Sequence, residues 1–285
     1  RGFARAMRQL SHKVHLPAGL PAADSAGTGG DLSGSLNLSS GVALVGAACG
    51  VPMVKHGNRS ISSKSGSADV LDALGVLLVP DANTALDCLK QCGFTFLYAP
   101  FFHPAMKAIA PVRVSMGVRT VFNFIGPLVN PAVPPYYLLG AFDLPHARLL
   151  ADSLSGLPLE RAFVVHGEPG WDEATPCGPF ALFDVRPGEV REDRRDPEDY
   201  GLSRCAPEAL KGGDAGYNAA ALEAVLRGDD RGPHRDSLML GAGLLLEVTG
   251  RVPDLAAGIA AARDTLEAGN GAAVLDRLRR FAAEL

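Results

Sequence analysis

The chain has 285 residues, 47% of them hydrophobic and 20% charged, with a formal net charge of −4. That length holds one large domain, or a large one with a small companion, and buries about three quarters of its unfolded surface. There is no basic excess to suggest a nucleic-acid binder, no apolar run of the ~18 residues a spanning helix needs, and no signal-peptide core in the polar opening Arg1–His12.

Cysteines stand at positions 49, 88, 92, 177 and 205, with spacings that fit neither a zinc site nor a disulfide framework. They read as reduced, structural thiols of a cytoplasmic protein, with Cys88 and Cys92 on one face of a predicted helix. In chain order, residues 1–9 read as helix, and a Gly-rich loop covers 25–35. The small apolar run 41–49 reads as a helix, with Ser39 and Ser40 as N-caps. A short strand over 51–54 leads into a polar loop, 55–67. Helix follows at 68–74, a strand-like stretch at 76–79, helix at 83–91 and strand at 94–98.

Residues 104–116 read as helix with a polar cluster. Strands are predicted at 136–142 and 162–166, with a helix over 146–155 between them. A hairpin is predicted over 179–192 with Pro187-Gly188 as its turn. The end is helical, over 217–227, 235–249, 255–268 and 272–283. Strands alternating with helices imply βαβ units and a mainly parallel sheet, hence an α/β fold.

Four features carry chemistry. The first is Gly27-Thr28-Gly29-Gly30-Asp31, where glycines let the backbone approach a ligand and turn its amides inward. The loop feeds a helix N-terminus, whose free N–H groups suit phosphate. It is neither a P-loop nor a dinucleotide fingerprint. The second is the loop from Lys55 to Ser67, KHGNRSISSKSGS, rich in cations, hydroxyls and glycines. It leaves a strand and enters a helix, which puts it at the carboxyl edge of a sheet, where open α/β folds bind ligands. The third is Asp172-Glu173, an acidic pair after a strand, suited to magnesium. The fourth is Phe101-Phe102-His103-Pro104-Ala105-Met106-Lys107 with Arg113 further along, whose guanidinium suits a carboxylate. Each feature alone also fits an ordinary turn, surface loop or surface helix.

Taken together and in this order, the four features resemble the anthranilate phosphoribosyltransferases. The runs KHGNRSISSKSGSADVLDALG, from Lys55 to Gly75, and FFHPAMKAIAPVRVSMGVRTVFNFIGPLVNP, from Phe101 to Pro131, look like the family's signatures nearly residue for residue. The resemblance spans residues 27–173 closely and the last helices more loosely. It implies that Gly27, Gly30, Asp31, Ser35, Asn37, Ser39, Ser40, Lys55, Asn58, Arg59, Ser63 and Ser67 bind phosphoribosyl pyrophosphate. Gly27, His56, Asn58 and Arg113 would face anthranilate, and Ser39, Asp172 and Glu173 would position Mg2+. No catalytic residue is assigned; His103 is a candidate base, with a structural histidine as the alternative.

The implied fold is a large α/β domain, residues 17–102 and 125–285, with a small helical domain, residues 1–16 and 103–124, as in the nucleoside phosphorylases. The implied activity transfers the phosphoribosyl group to anthranilate and releases pyrophosphate, in tryptophan biosynthesis. A homodimer is expected, with no nucleic-acid or membrane partner. The family usually carries further N-terminal helices, so a segment before Arg1 is expected. Leu32 stands where the family often has glycine, Ser35 and Ser40 where it has threonine, and Phe180 where threonine is common. The hydroxyls are kept, and at Phe180 a packing change is expected. The alternatives are a nucleoside phosphorylase-like enzyme and a non-catalytic relative that binds nucleic acid.

Overall fold

A computed structural model of the chain describes residues 1–60, 64–106, 109 and 120–285. Seven strands form one sheet in the order β3-β2-β1-β4-β5-β6-β7. They are β1 (Ala23–Gly27), β2 (Met53–Gly57), β3 (Phe94–Tyr98), β4 (Tyr136–Gly140), β5 (Arg161–Gly167), β6 (Phe180–Arg186) and β7 (Glu189–Arg195). The first five run parallel, and β6 and β7 close the edge as an antiparallel hairpin. The mainly parallel sheet and the hairpin stand as expected.

Ten helices complete the described fold: α1 (Gly2–Gln9), α2 (Leu38–Ala48), α3 (Ser67–Ala73), α4 (Ala82–Cys92), α5 (Ala99–Phe102), α6 (Leu144–Leu154), α7 (Ala215–Arg227), α8 (Pro233–Val248), α9 (Leu255–Glu267) and α10 (Asn270–Ala283). None is long and apolar enough to cross a membrane.

Alternation along the strands divides the core between the two faces. On β5, Phe163 and Val165 join one buried cluster, while Ala162 and Val164 join the other. β6 repeats the pattern, with Phe180 and Leu182 on one side and Ala181, Phe183 and Val185 on the other. A strand covered on both faces has to be apolar at every position, which explains these continuous hydrophobic runs. Phe180 is buried, so its side chain serves packing. The larger cluster includes α2 and α8, whose residues 237–248 are all buried. The smaller includes Ala4 and Met7 of α1 with Leu150 and Leu154 of α6. All five cysteines are free thiols.

Three sequence expectations need correction. First, β1 lies where only a Gly-rich loop was read, over residues 25–35. Its segment Ala23–Gly27 has no β-branched or aromatic residue, so propensity conceals a strand that five paired neighbours on β4 hold in place. Second, β2 runs to Gly57, so Lys55 and His56 are buried strand residues and not the opening of the polar loop. Third, residues 76–79 pair with no strand; Val76 and Val79 are core side chains on a connection. Within the expected helix over 104–116, the described residues are Pro104, which is in a turn, and Ala105, Met106 and Ile109, which are helical.

Candidate functional site

The chain leaves β1 to build β2 and β3 on one side, then returns to place β4 and β5 on the other. That reversal makes a switch point between β1 and β4, and the crevice beyond their carboxyl ends is where open α/β sheets bind ligands. β1, β2, β4 and β5 each end in glycine: Gly27, Gly57, Gly140 and Gly167. A Cβ would fall 2.2 Å from Asp172 Oδ2 at Gly27, 1.5 Å from the Asp172 carbonyl oxygen at Gly140, and 2.1 Å from the Glu173 carbonyl oxygen at Gly167. At Gly57 it would fall 2.2 Å from Ser67 Oγ. The glycines thus let the loop after β5 settle directly on the ends of β1 and β4.

That loop carries the acidic pair and is fastened both at the Gly-rich stretch and at the amino end of α2. Gly29 N–H donates to Asp172 Oδ2 at 2.6 Å, and Ser39 N–H donates to Glu173 Oε1 at 3.1 Å. Asp172 N–H reaches Asp31 Oδ2 at 3.4 Å, and Thr28 N–H donates to the Gly140 carbonyl at 3.0 Å. Gly29 and Gly30 have φ of 67° and 79°, left-handed conformations that glycine adopts without steric cost. Leu32 shares that region at φ 59°, with its side chain 90% exposed.

The expected caps on α2 differ. Asn37 is the N-cap and makes no side-chain cap bond; Ser39 and Ser40 lie inside the first turn. The Glu173 carboxylate serves that helix end instead, and a carboxylate is favoured there by the helix dipole. Asn37 Nδ2 donates to the Ser65 carbonyl at 3.1 Å, and its Oδ1 accepts from Asn218 Nδ2 at 2.8 Å. One side chain therefore ties α2, the second loop and α7 together. Ser40 is buried, and its Oγ has no hydrogen-bond partner.

Lys55 points back under the crevice. Its ammonium donates to the Ser25 carbonyl and to Ser39 Oγ at 3.3 Å. Burial lowers its pKa, opposed by the charges of Asp24, Glu173 and Asp172. The carboxylates are shifted the other way. Burial, and then Asp31, push Asp172 up to about 7, and burial with Asp172 pushes Glu173 well above the carboxylate range. A buried carboxylate, Asp172, and a half-buried one, Glu173, beside a hydroxyl form an all-oxygen donor set. That fits magnesium, which takes one or two carboxylates and completes its shell with water and substrate phosphate.

The second loop is less gathered. Arg59 is exposed and pairs with Asp69 at 2.7 Å and Asp72 at 3.0 Å, so its guanidinium would have to change partners to reach a phosphate. Asn58 is exposed; its backbone carbonyl accepts from Ser67 Oγ at 3.2 Å. Ser35 accepts from Ser33 Oγ at 3.1 Å and lies on a bridge to Lys211. Ser63, Lys107 and Arg113 lie outside the described residues.

His56 and His103 meet edge to face, ring centroids 5.1 Å apart. Burial, and then the neighbouring His103, lower His56 to about 3; burial also lowers His103. Both rings are therefore neutral at pH 7. His56 Nε2 and both nitrogens of His103 are buried with no hydrogen-bond partner. Behind His56 lie two residues that motif reading missed. Asp24 accepts from the His56 N–H at 3.2 Å and from Asn130 Nδ2 at 2.8 Å, and burial raises it to about 6. Asn130 also donates to the Val54 carbonyl at 2.8 Å. The available signals were a lone acid inside a small-residue strand and an asparagine closing the second signature run.

The model of the glycosyl transferase family, a/b domain, matches residues 19–273. The anthranilate phosphoribosyltransferase of Rubrobacter xylanophilus is 44% identical over 284 residues, which span 100% of this chain and 82% of that one. The crystal structure of the Thermus thermophilus anthranilate phosphoribosyltransferase superposes with a TM-score of 0.91 at 43% identity, over 98% of this chain and 83% of that one. The Saccharomyces cerevisiae enzyme in complex with PRPP and Mg gives 0.90 at 28% identity, over 99% and 79%. With so much of its length matched at this identity, and with this fold, the chain belongs to the anthranilate phosphoribosyltransferase family.

Proposed function

We propose that the chain transfers the phosphoribosyl group of phosphoribosyl pyrophosphate to anthranilate, giving N-(5-phosphoribosyl)anthranilate and pyrophosphate, as a step of tryptophan biosynthesis. The observation that carries this reading is the Asp172-Glu173 loop bonded to both Gly29 N–H and Ser39 N–H at the switch point of the sheet. It sets the acidic pair beside two backbone stretches that suit phosphate. Ser39, Asp172 and Glu173 would hold magnesium, which would supply charge neutralisation of the leaving pyrophosphate.

Gly27, Gly30, Asp31, Ser35, Asn37, Ser39, Ser40, Lys55, Asn58, Arg59, Ser63 and Ser67 form the donor site in this reading. Gly27, His56, Asn58 and Arg113 face anthranilate. The bond from ribose C1 to the pyrophosphate oxygen breaks, the aniline nitrogen bonds to C1, and that nitrogen loses a proton. Aniline nitrogen is uncharged at neutral pH, so it needs placement more than activation. Orientation and electrostatic stabilisation of the leaving group then supply most of the rate. The neutral His56–His103 pair puts no competing positive charge near the anthranilate amine.

The same reading divides the chain into a large domain, residues 17–102 and 125–285, and a small helical one, residues 1–16 and 103–124. It places a homodimer of such chains in a reducing compartment, which the five free thiols suit. The test follows anthranilate fluorescence with phosphoribosyl pyrophosphate, with and without magnesium. Magnesium-dependent loss of anthranilate matched by pyrophosphate release supports the reading; a folded protein with no turnover overturns it.

A further inference from the structure

A cavity of about 350 Å³ opens among the last four helices, and its wall includes Arg227, Arg231, Arg235, Arg263, Glu267 and Gly269. It sits at the carboxyl end of α7. The donor site meets the other end of that helix, through the bond from Asn218 to Asn37. The nine residue steps from Asn218 to Arg227 span about 14 Å of helix.

Four guanidinium groups around one small space repel each other unless they are offset. The offset here is partial. Arg227 pairs with Glu223 at 2.8 Å and Asp276 at 3.1 Å. Arg235 reaches Asp236 only at 3.5 Å, and its Nε is buried with no hydrogen-bond partner. Arg231 and Arg263 make no hydrogen bond or ion pair among the described residues. Glu267 is the one acid in the wall, and Asp230 and Asp236 lie beside it, Asp230 taken up by His234 at 3.4 Å. Two helix starts and two helix ends meet here. The 16-residue α8 and the 14-residue α10 begin on glycine caps, Gly232 and Gly269, with no side-chain cap bond, while α7 and α9 end at Arg227 and Glu267, so the backbone dipoles oppose one another and the guanidinium groups carry the positive field.

We propose that this cavity is a second anion site, separate from the transferase site, which takes a phosphate-bearing small molecule. Guanidinium is the side chain best shaped for such a ligand, because its planar fork offers paired donors to phosphate oxygens. The cavity is also within the size range of small-molecule pockets. An anion there would give the exposed Arg231 and the buried Arg235 Nε the hydrogen-bond partners they lack, and would give Arg263 one besides the charge of Asp236.

The test is amide hydrogen exchange of the whole chain, without magnesium and at low ionic strength, with added pyrophosphate. Residues 229–236 and 269–273 should exchange more slowly with pyrophosphate present, and added salt should weaken the effect. In the double variant Arg231→Gln, Arg263→Gln that protection should be lost, while any protection over residues 27–40 stays. An unchanged melting temperature and unchanged turnover would show that the variant is folded. Protection confined to residues 27–40 in the wild-type chain would overturn the second site. Equal protection by citrate would overturn its assignment to phosphate. Both readouts are local to the cavity, so they stand or fall apart from the transferase assay.

Discussion

Asp172 shows how one residue's surroundings prepare it for a ligand. Its carboxyl is pushed up to about 7 by burial and by Asp31. A carboxyl raised in this way contributes stability that is present below its unfolded pKa and is lost as pH rises through the folded value. Between the usual carboxylate range and pH 7, the ligand-free protein should therefore lose stability as pH rises. A divalent cation reverses the balance, because it binds the deprotonated form and must displace the proton below pH 7. The rise in melting temperature on adding magnesium with pyrophosphate should be larger at pH 8 than at pH 6. A shift that does not change with pH would remove Asp172 from the metal site. Gly140 tests the same place sterically. Its Cβ would fall 1.5 Å from a backbone oxygen, which cannot swing aside as a side chain can. Gly140→Ala should cost about 1–3 kcal/mol of stability by overpacking and should cut turnover further by displacing the acidic loop. Wild-type melting and turnover would show that the loop is free to move.

At the scale of elements, α2 depends on groups far away in sequence. Its amino end is served by Glu173 from the loop after β5, and its N-cap residue Asn37 faces Ser65 and Asn218 instead of its own helix. Asn37→Ala would leave the Ser65 carbonyl and the Asn218 amide without this partner, at about 1–3 kcal/mol. Melting temperature should fall and KM for phosphoribosyl pyrophosphate should rise, with KM for anthranilate little changed. Equal rises in both KM values would count against a role confined to the donor site. The same helix shows why the sequence was only partly legible. Its apolar run marked it as a helix, but local cap chemistry pointed to Ser39 and Ser40. The actual partner lies 134 residues from Ser39, where no local pattern reaches. β1 was missed for a related reason: pairing holds it and propensity does not. By contrast, α4 starts on Asp81, whose side chain accepts from Asn83 and Thr84 N–H, and it ends on Gly93 at φ 74°. Such an element carries its own boundaries and reads correctly. The acidic pair and both basic or Gly-rich stretches were visible as composition. Their convergence was not, because it depends on sheet order and on the four strand-end glycines.

At the scale of the whole molecule, the site is where both cores and three loops meet one sheet, so ligand binding should be felt throughout. A ligand that binds only the folded chain stabilises it by about 2.7 kcal/mol at a hundred times Kd, and phosphoribosyl pyrophosphate with magnesium is expected to act in this way. The chain carries one tryptophan, Trp171, next to Asp172 and 5% exposed. Its N–H and carbonyl bond to the Gly167 backbone at 2.9 and 3.0 Å, which fixes it to the end of β5. Emission excited in the tryptophan band therefore reports from the loop after β5 alone. Titration with phosphoribosyl pyrophosphate and magnesium should change that emission along a saturable curve. Omitting magnesium should weaken the response and move it to higher donor concentration. On heating, the same signal should shift to the red as the indole meets water, at a temperature raised by the ligand pair. If the melting temperature rises while Trp171 emission ignores the ligands, the donor binds away from the loop after β5, and the placement of Asp172 and Glu173 at the metal fails with it.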